Sequence, residues 1–455
     1  MHLYHRQPVK VEKIDTKYRK IKTALPVPES IPILKKLEFY EPQSMLGQPP
    51  LIWDRAEGFQ VFDRWGNVWI DWSSGVLITN SGHAHPLIIK ALKHLIDQKL
   101  IATYVFYHEK RAELAEILVS LVPDSLNKVF LLSTGSEAVE NSIKLARTYG
   151  IRKYNHDKHI IISFSNAFHG RTLGAQQVGG SPALKDWITN MDPGFITVPF
   201  PDGFLNQNVR FAVFLESLKE HKVNPKNIAG VIFESYQGAG PYFLPKDYAK
   251  KLELFCREND ALLICDEVQA GFGRTGKWFT FEHYEIIPDL VICGKGISSS
   301  LPLAAVIGRE DIMNLYKPGS MTSTHSGSPL PVISAIANIQ ALKQDNLINH
   351  TAQMEKVLIK RLKHIREQHA QQIGFVSGKG LVAGLQIVKK GTNLEPDGAT
   401  ALKINERCFQ KGLLMFAPVG VGSMCIKICP PLSIPQDALE EGIQVLEEVC
   451  AEILD

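Results

Sequence analysis

The sequence predicts an α/β protein with a large, mostly parallel β-sheet that is covered by helices on both sides. Two observations lead to this prediction. Short apolar segments alternate with longer helical segments through the middle of the 455-residue chain. The short segments are apolar at successive positions, as strands are when both faces of a sheet are buried. The six predicted strands span residues 128–132, 159–164, 230–234, 261–267, 289–294 and 303–308.

Both ends of the chain predict a second, smaller α+β domain. Residues 1–75 are assigned to an N-terminal segment and part of this domain, and Gly66-Asn67 between two alternating runs predicts a hairpin there. Residues 76–330 are assigned to the large α/β domain. Residues 331–455 combine helices with alternating strands and are assigned to the C-terminal part of the small domain. Helices are predicted at 85–99, 111–122 and 331–346.

The composition argues against several classes of protein. The 50 basic residues nearly balance the 47 acidic ones, so nucleic-acid binding is not expected. No apolar run is long enough to span a membrane, and the first residues do not have the pattern of a signal peptide. The seven cysteines are odd in number and lie in apolar segments, which predicts buried thiols and a cytoplasmic protein. Cys425 and Cys429 lack a second ligand pair, so no metal site is predicted.

A glycine-rich run, G-F-G-R-T-G at residues 271–276, matches the dinucleotide-binding pattern G-x-G-x-x-G. That pattern also requires a helix that starts within the glycines and an acidic residue about twenty positions later. The residues after Gly276 show no helical apolar stripe, and the acidic residue Asp266 precedes the glycines. The sequence therefore disfavours a dinucleotide site and makes Asp266, at the end of a strand, the residue of interest.

The segment after the first predicted strand, S-T-G-S-E-A-V-E, predicts a helix start that suits an anion. Thr134 and Glu137 have the spacing of a capping box. Gly135 and Ser136 lie between them, where free backbone amides and the helix dipole favour negative charge. A phosphate group fits such a helix start.

Further strand ends place polar or aromatic residues at the same edge of the predicted sheet, where open α/β sheets bind ligands. Taken singly, each residue has an ordinary structural interpretation, such as a helix cap, a core ring or a surface lysine. Together they supply a ring for stacking, carboxylates, an amide and an amine, the set that pyridoxal phosphate requires. The residues are Phe168, Glu234, Asp266, Gln269 and Lys295.

The run D-E-V-Q-A-G-F-G-R-T-G, followed by G-K-G, resembles the class III, omega-amino-acid aminotransferases of the type I pyridoxal-phosphate fold. The similarity extends from D-W-S-S-G-V-L-I-T-N-S-G-H-A-H-P to I-K-I-C-P-P-L, which is nearly the whole chain. The resemblance implies the type I PLP-dependent transferase fold. In that fold a large domain holds a mostly parallel seven-stranded sheet, and both termini build a small α+β domain.

The resemblance also implies a role for each residue at the strand ends. Lys295 would be the Schiff-base lysine and the proton carrier, and Asp266 would pair with the pyridine nitrogen. The other implied cofactor-binding residues are Glu234, Gln269 at the ring hydroxyl, Val268 and Phe168 on the two ring faces, and Gly135 and Ser136 at the phosphate. Thr324 in S-T-H-S-G-S-P resembles a threonine that reaches the phosphate of the other subunit, which implies a homodimer, or a dimer of dimers, with shared active sites.

The residues implied for substrate binding are less sharply defined. Arg171 in F-H-G-R matches an arginine that binds the distal carboxylate of the substrate, although a structural ion pair is the alternative. Val76, Phe106 and Tyr236 are candidate pocket walls. The candidate for the carboxylate near the C-terminal motif is Lys427.

The chain departs from the family pattern at two positions that act together in relatives using 2-oxoglutarate. The family motif E-P-x-Q-G-E-G-G reads E-S-Y-Q-G-A-G-P here, so Ala239 replaces a glutamate. The arginine of R-x-x-P-P-L is Lys427, whose ammonium we expect to turn to solvent or to Glu234. Ser328 also replaces the asparagine of G-N-P. These changes predict that 2-oxoglutarate is a poorer acceptor than pyruvate or a small aldehyde.

The leading hypothesis for function is an aminotransferase. It would move an amino group from an omega-amino acid or amine, of the 4-aminobutyrate type, to a keto acid. Two alternatives on the same scaffold stay open: an amino-acid racemase or epimerase, and a phospho-lyase or decarboxylase. A binding or regulatory module that has kept the cofactor is disfavoured, because Lys295 and Asp266 are both intact.

Overall fold

A computed structural model describes residues 4–392 and 394–455 of the chain, so residues 1–3 of the predicted N-terminal segment lie outside the description. Eighteen strands are numbered here in chain order. They are β1 Ile14–Asp15, β2 Lys20–Ile21, β3 Arg55–Glu57, β4 Gln60–Phe62, β5 Val68–Asp71, β6 Lys128–Leu132, β7 Ile160–Phe164, β8 Phe195–Val198, β9 Ile228–Glu234, β10 Tyr236–Gln237, β11 Tyr242–Phe243, β12 Leu262–Asp266, β13 Leu290–Cys293, β14 Ala304–Gly308, β15 Ile373–Lys379, β16 Val382–Ile387, β17 Leu413–Leu414 and β18 Cys425–Ile428.

The helices range from single turns to a helix of 22 residues. They are α1 Ile31–Tyr40, α2 Ser74–Leu77, α3 Pro86–Asp97, α4 Glu109–Val119, α5 Gly135–Lys153, α6 Leu173–Val178, α7 Phe211–Glu220, α8 Lys246–Glu258, α9 Glu310–Met313, α10 Pro329–Gln344, α11 Leu347–Gln368, α12 Gly398–Gln410 and α13 Gln436–Leu454. The three helices predicted from sequence correspond to α3, α4 and α10 within two residues at most boundaries.

The chain forms two compact units. The first combines the residues up to His85 with Asn349–Asp455, and the second is the continuous segment Pro86–Ile348. These boundaries lie further along the chain than the expected 76 and 330. At the second boundary the reason is packing: α10 lies against α3 and α4 within the second unit.

The second unit is built on a seven-stranded sheet with the order β6-β14-β13-β12-β9-β7-β8. The strands from β13 to β8 are parallel, and β14 runs antiparallel to both β13 and β6. The predicted mostly parallel sheet is therefore confirmed, and each of the six predicted strands is present. The sequence reading missed the edge strand β8, a four-residue segment that is only partly buried at three of its positions.

The core of this unit lies between the sheet and α5. Val139, Ile143 and Ala146 form the buried face of α5, as their helical spacing predicted. They belong to one cluster with the strand residues Ile232 and Ile264. Burial of each large aliphatic side chain contributes roughly 1.5–3 kcal/mol, so the sheet is a rigid support for the residues at its ends.

The first unit is an α+β structure with two sheets. One sheet has the order β1-β2-β5-β4-β3, with β17 parallel to β5, and the other is the antiparallel sheet β15-β16-β18. The predicted hairpin at Gly66-Asn67 is confirmed, because β4 and β5 pair antiparallel on either side of it. Trp69 stacks on Phe409 at 5.5 Å between ring centroids.

All seven cysteines are buried free thiols, as the sequence predicted. Within residues 4–392 and 394–455, no cluster of histidine, cysteine and acidic side chains has the form of a metal site. The described helices also include none with the length and apolar character needed to cross a bilayer.

Candidate active site

The ends of three parallel strands place acidic and basic residues at one edge of the seven-stranded sheet. Asp266 ends β12 and is paired in register with Glu234, the last residue of β9. Lys295 follows the end of β13, the strand on the other side of β12. Because these strands run in the same direction, their carboxyl ends share an edge, which we call the carboxyl edge.

Asp266 is buried and held by two hydrogen bonds. Its Oδ1 accepts from the amide of Val268 at 3.0 Å, and its Oδ2 lies 2.7 Å from His169 Nδ1. A carboxylate accepts, so His169 Nδ1 carries the proton of this bond. His169 Nε2 is buried without a hydrogen-bond partner among the described residues. This histidine was not assigned a role from sequence, although it stands in the noted turn F-H-G-R.

Glu234 joins two loops at the same edge. Its Oε2 accepts from the amide of Phe168 at 2.9 Å, and its Oε1 accepts from the amide of Gly238 at 2.8 Å. Burial raises the pKa of Glu234 to about 7, and the charge of Asp266 adds to the effect, while His169 and the two amides oppose it. Glu234 is therefore a buried carboxyl that titrates near neutral pH.

Lys295 has the electrostatics of a reactive amine. Burial lowers its pKa, and the negative charges of Asp266 and Glu234 oppose that effect. A lysine whose ammonium is poorly hydrated gives up its proton more readily, which is how proteins prepare an amine to act as a nucleophile or base. Its backbone φ of 42° lies in the left-handed region, which non-glycine residues rarely adopt outside special sites.

The predicted helix start is present at the beginning of α5. Thr134 Oγ1 accepts from the amide of Glu137, and the Glu137 carboxylate accepts from the amide of Thr134, so the predicted capping box is confirmed. The first-turn amides of Gly135 and Ser136 have no acceptor within the helix. The Ser136 hydroxyl accepts from the amide of Arg171 at 3.3 Å, which fixes the F-H-G-R turn beside it.

Val268 packs into a space that two glycines leave open. A Cβ atom at Gly135 or at Gly294 would lie 3.0 Å from Val268 Cγ1. Gly238 has a similar relation to Gln269, because a Cβ at Gly238 would lie 2.8 Å from the side-chain nitrogen Nε2 of Gln269. The glycines therefore bring the residues after Asp266 close to the helix start and to the residue before Lys295.

Two residues of the F-H-G-R turn are turned outward. Phe168 is 40% exposed although its backbone is tied to Glu234. Arg171 is exposed and its guanidinium carbon lies 5.5 Å from the centre of the Phe168 ring. A fixed backbone with an exposed ring and an exposed guanidinium leaves both side chains accessible to a ligand.

The segments that contain Phe106 and Thr324 contact each other in the second unit. Tyr104 Oη lies 3.4 Å from Thr322 Oγ1, and His108 Nε2 lies 2.7 Å from the carbonyl oxygen of Gly327. Phe106 and Thr324 themselves are exposed.

Val76 and Lys427 belong to the first unit. Val76 is 42% exposed in the turn α2, whereas Lys427 is 1% exposed in β18, where it pairs with Gly384 of β16. The expectation that Lys427 turns to solvent is wrong, because it lies in a buried strand.

Comparisons with known proteins identify the family. Residues 43–450 match the family described as Aminotransferase class-III, and the chain belongs to that family. The protein is therefore a class III aminotransferase, an enzyme that depends on pyridoxal phosphate.

Individual relatives show the range of activities around this chain. A 4-aminobutyrate aminotransferase of Mycobacterium leprae is 31% identical over 444 residues, which are 95% of this chain and 98% of that protein. An alanine/serine racemase of Pyrococcus horikoshii is 33% identical over 423 residues, covering 89% and 86%. An (S)-enantioselective omega-transaminase from Thermomicrobium roseum is similar in structure, with a TM-score of 0.85 at 26% identity, covering 93% and 99%. The predicted transferase fold is confirmed by this likeness.

The side chains at the carboxyl edge fit the cofactor that the family requires. A helix start with free amides suits a phosphate, and the Asp266 carboxylate suits a protonated ring nitrogen. Lys295 supplies an amine with a lowered pKa. Val268 and Phe168 supply apolar surfaces for a flat ring.

Proposed function

We propose that the carboxyl edge of the seven-stranded sheet holds pyridoxal phosphate for transamination of an omega-amino acid or amine. The observation behind this assignment is the combination of Lys295 with Asp266 on the neighbouring strand. Lys295 would hold the aldehyde of the cofactor and Asp266 its ring nitrogen. Gly135 and Ser136 would bind the phosphate, and Gln269 the ring hydroxyl. Val268 and Phe168 would pack on the two faces of the ring.

Bound pyridoxal phosphate links to amines through its aldehyde and accepts the electron pair that remains when a proton leaves the carbon next to the substrate nitrogen. Lys295 Nζ would remove that proton, because burial lowers its pKa and so favours the neutral amine that can accept a proton. The same Nζ would return the proton at the other carbon. His169 donates a hydrogen bond to Asp266, which would hold the carboxylate in place to pair with the ring nitrogen.

Arg171 supports a donor with a carboxylate far from its amine. A guanidinium binds a carboxylate through two parallel hydrogen bonds, and Arg171 is exposed on an anchored turn. The relatives named for 4-aminobutyrate and 5-aminovalerate agree with such a donor. Val76 and Phe106 would contact the chain of the substrate.

The acceptor is expected to be pyruvate or a small aldehyde. In the resembling enzymes a glutamate offsets the charge of the C-terminal arginine when the substrate has no carboxylate there. Ala239 cannot do this, and Lys427 is a point charge in a buried strand. Because this pair of positions is changed from the relatives that use 2-oxoglutarate, we expect 2-oxoglutarate to be the poorer acceptor.

The test combines each of several amino donors with each of two keto-acid acceptors. 4-Aminobutyrate, 5-aminovalerate, alanine and a simple amine are incubated with pyruvate or 2-oxoglutarate, and the keto products are quantified. We expect turnover of the omega-amino acids with pyruvate, and the double variant Ala239→Glu/Lys427→Arg should improve use of 2-oxoglutarate more than the sum of the single variants. A wild-type preference for 2-oxoglutarate would contradict the acceptor assignment.

A second candidate function is racemisation of an amino acid. It is favoured by the 33% identity to the alanine/serine racemase of Pyrococcus horikoshii. Both reactions begin with removal of the same proton, so the presence of Lys295 does not distinguish a racemase from an aminotransferase. Chiral chromatography of alanine and serine, incubated without any keto acid, separates the two functions. Appearance of the other enantiomer without a keto acid would identify a racemase.

We further propose that the active protein is a homodimer, or a dimer of dimers, in which Thr324 completes the phosphate site of the partner. A continuous exposed apolar segment supports an interface with a second copy, since such patches mark contact surfaces. Tyr107 alone is 97% exposed. The exposed residues of this segment are Ile101, Tyr104, Val105, Phe106 and Tyr107.

The oligomeric state is tested by light scattering coupled to size-exclusion chromatography. The wild type should have at least twice the chain mass of 50.8 kDa, and Phe106→Asp/Tyr107→Asp should shift it to the monomer and abolish turnover. Leu254→Asp is the matched control, because Leu254 is 58% exposed elsewhere in the same unit. An active wild-type monomer would exclude the shared site.

The seven buried free thiols support a cytoplasmic location, where thiols stay reduced. Cell fractionation with detection of the protein tests this expectation.

A further inference from the structure

The backbone around Lys295 is irregular. Gly294 is extended, Lys295–Ile297 form a single 3₁₀ turn, and Lys295 and Ser299 have φ of 42° and 56°. We call residues 295–300 the lysine loop. Non-glycine residues rarely adopt the left-handed region, and such conformations persist where the surrounding structure holds them. The contacts that hold the lysine loop therefore also fix the direction in which the Lys295 side chain leaves the backbone.

Asn338, on α10, binds the lysine loop directly after Lys295. Its side chain is fully buried, and its Nδ2 donates to the carbonyl oxygens of Gly296 at 2.8 Å and Ile297 at 3.0 Å. Carbonyl oxygens only accept, so both protons of this nitrogen are used and the orientation of the amide is defined. The two residues that follow Lys295 are thus attached to one side chain of α10.

Ser334 makes a second contact one helical turn earlier on α10. It is buried, and its hydroxyl donates to the carbonyl oxygen of Ser298 at 2.9 Å. The Ser300 hydroxyl lies 2.7 Å from the same oxygen, and because Ser334 has a single hydroxyl proton, Ser300 donates in this bond. Residues four apart lie on the same face of a helix, so Ser334 and Asn338 together bind the carbonyl groups of three consecutive loop residues.

The two polar residues stand out because α10 is otherwise apolar inside the protein. A buried polar group costs free energy unless it is hydrogen-bonded, and Asn338 Oδ1 has no hydrogen-bond partner among the residues that the structure describes. An aliphatic side chain at this position would avoid that cost. The position that Asn338 gives to the lysine loop explains its presence better than a contribution to stability does. The other buried residues of α10 are Pro329, Val332, Ala335, Ile336, Ala337, Ile339, Ala341 and Leu342.

We propose that Asn338 and Ser334 are positioning residues for Lys295. Because α10 packs against α3 and α4, the two side chains tie the lysine loop to a fixed helix. They thereby hold the amine of Lys295 near Asp266 and Glu234 at the carboxyl edge. This inference rests on the proposed function, which assigns Lys295 to the aldehyde of the cofactor. It adds two residues that act through the lysine loop.

The first test measures the lysine loop in the protein freed of cofactor. Asn338→Leu replaces the amide by an apolar group of similar size, so hydrogen–deuterium exchange of the peptide with residues 294–300 should become at least about 10-fold faster. Asn405→Leu is the matched control, because Asn405 is also fully buried on a helix and its Nδ2 donates to the carbonyl oxygen of Phe416 at 2.9 Å, in the first unit. It should leave this peptide unchanged. Exchange at the wild-type rate in Asn338→Leu would overturn the inference.

The second test measures the placement of the amine without any amino donor. Pyridoxal phosphate is added to the cofactor-free protein, borohydride is added at set times, and the fraction fixed to Lys295 is read by peptide mass spectrometry. Asn338→Leu should slow the fixation about 100-fold, the effect of misplacing a reacting group by about 1 Å. Asn405→Leu should fix the cofactor at the wild-type rate.

Ser334 provides a milder pair of variants. Ser334→Ala removes one hydrogen bond, so it should slow the fixation and lower kcat about 5-fold, with an unchanged KM for 4-aminobutyrate. Ser334→Thr keeps the hydroxyl and should stay near the wild type. Ser142→Ala is the matched control, since the hydroxyl of this buried serine donates to the carbonyl oxygen of Ala138 at 2.9 Å within α5. Equal losses in Ser334→Ala and Ser334→Thr would show that the hydroxyl does not position the lysine.

The outcomes separate this inference from the proposed function. Fixation that is equally fast in the wild type, Asn338→Leu and Ser334→Ala would uphold the role of Lys295 and overturn the role of α10. Fixation that is slowed in both variants of a protein that does not transaminate 4-aminobutyrate would support the inference and contradict the proposed donor.

Discussion

The two edges of the seven-stranded sheet bury the same kinds of charged residue, but the partners of these residues differ between the edges. At the amino edge, before β13, the carboxylate of Asp289 accepts from Arg257 Nη1 at 2.7 and 2.8 Å, from the amide of Leu263 at 2.8 Å and from Arg309. At the carboxyl edge, Asp266 accepts from an amide and a histidine. The first carboxylate is fully neutralised by guanidinium groups, and the second is not.

The two edges also contain one lysine each whose pKa is lowered by burial. Lys158 Nζ donates to the carbonyl oxygens of Lys226 and Asn259 at 3.0 and 2.8 Å. Lys295 is influenced by Asp266 and Glu234 through their charge. The protein supplies hydrogen-bond partners for the buried Lys158, whereas a buried charged group near other titratable groups at a strand end is a candidate for ligand binding.

The antiparallel strand β14 explains part of this difference. Because β14 runs against β13, its end returns to the amino edge and brings Arg309 next to Asp289. At the carboxyl edge, none of the described strands returns beside Asp266 in this way. The topology thus completes the ion pairs at one edge and keeps the other edge open.

The largest expected effect of a single substitution is at the two lysines. Lys295→Ala should reduce kcat by about four orders of magnitude or more, because it would remove both the proposed covalent attachment and the proposed base. Borohydride should fix the cofactor to Lys295 in the wild type, as read by peptide mass spectrometry. Lys158→Ala, the amino-edge counterpart, should lower Tm and keep the bound cofactor. Substantial turnover by Lys295→Ala would show that the lysine is assigned wrongly.

The next effect concerns the two aspartates. Asp266→Asn should lower kcat by roughly 10²–10³, as expected when one preorganised electrostatic contact is lost, with a small change in stability. Asp289→Asn should cost about 3 kcal/mol of unfolding free energy, because it leaves two guanidinium groups without their buried partner, and should keep kcat. Chemical denaturation and steady-state kinetics on both variants measure the contrast. Equal losses of stability would remove the distinction between the edges.

A smaller effect is expected for the histidines. His169→Gln should lower kcat about 10-fold, the value of one hydrogen bond to a charged group, as measured by steady-state kinetics. His159→Gln is the amino-edge control, since its Nδ1 lies 3.0 Å from a backbone carbonyl oxygen, that of His156. A kcat of His169→Gln equal to that of the wild type would show that this histidine only fills space.

The smallest effect is a change in the pH dependence of stability. Burial raises the pKa of Glu234 from 4.5 to about 7, so the folded state retains a proton that the unfolded chain loses. Stability is therefore full below pH 4.5 and falls as the pH rises towards 7, by up to about 3 kcal/mol at about 1.4 kcal/mol per pKa unit. Glu234→Gln, measured without cofactor, should lose this part of the pH dependence of the unfolding free energy.

Glu267 provides the matched comparison for that prediction. Burial also raises its pKa to about 7, but its carboxylate accepts from the amides of Thr280 and Phe281, behind the strand end. Glu267→Gln should change the pH dependence of stability in the same way and leave the affinity for the cofactor unchanged. Glu234→Gln should weaken cofactor binding, because the amide of Phe168 loses a charged acceptor.

Much of the fold and of the carboxyl edge could be predicted from sequence because the signals there are local. Buried parallel strands are apolar at every position, the capping box has a fixed spacing, and Asp266 and Lys295 stand directly at strand ends. The resemblance to the family then implied a role for each residue that the strand pattern had only placed at this edge.

The remaining features depend on contacts that the linear sequence does not show. The bond between His169 and Asp266 joins residues 97 positions apart. Ser74, Val76 and Leu77 have φ of 49°, 66° and 59°, although their residue types favour negative φ, so the sequence does not predict the turn that they form. The burial of Lys427 results from the pairing of β18 with β16, and a lysine in isolation predicts a solvated side chain.

The construction of the first unit from both ends of the chain has a consequence for synthesis. Trp69 Nε1 donates to the carbonyl oxygen of Phe409, and Tyr4 Oη donates to the Asn405 side chain, across 340 and 401 positions. The parallel pairing of β17 with β5 likewise joins Leu413 to Ile70. On a ribosome that adds about 5–20 residues per second, the N-terminal strands wait on the order of tens of seconds for these partners. The continuous second unit can form meanwhile, and we expect the edge of β5 that later pairs with β17 to stay unpaired in the nascent chain during that interval.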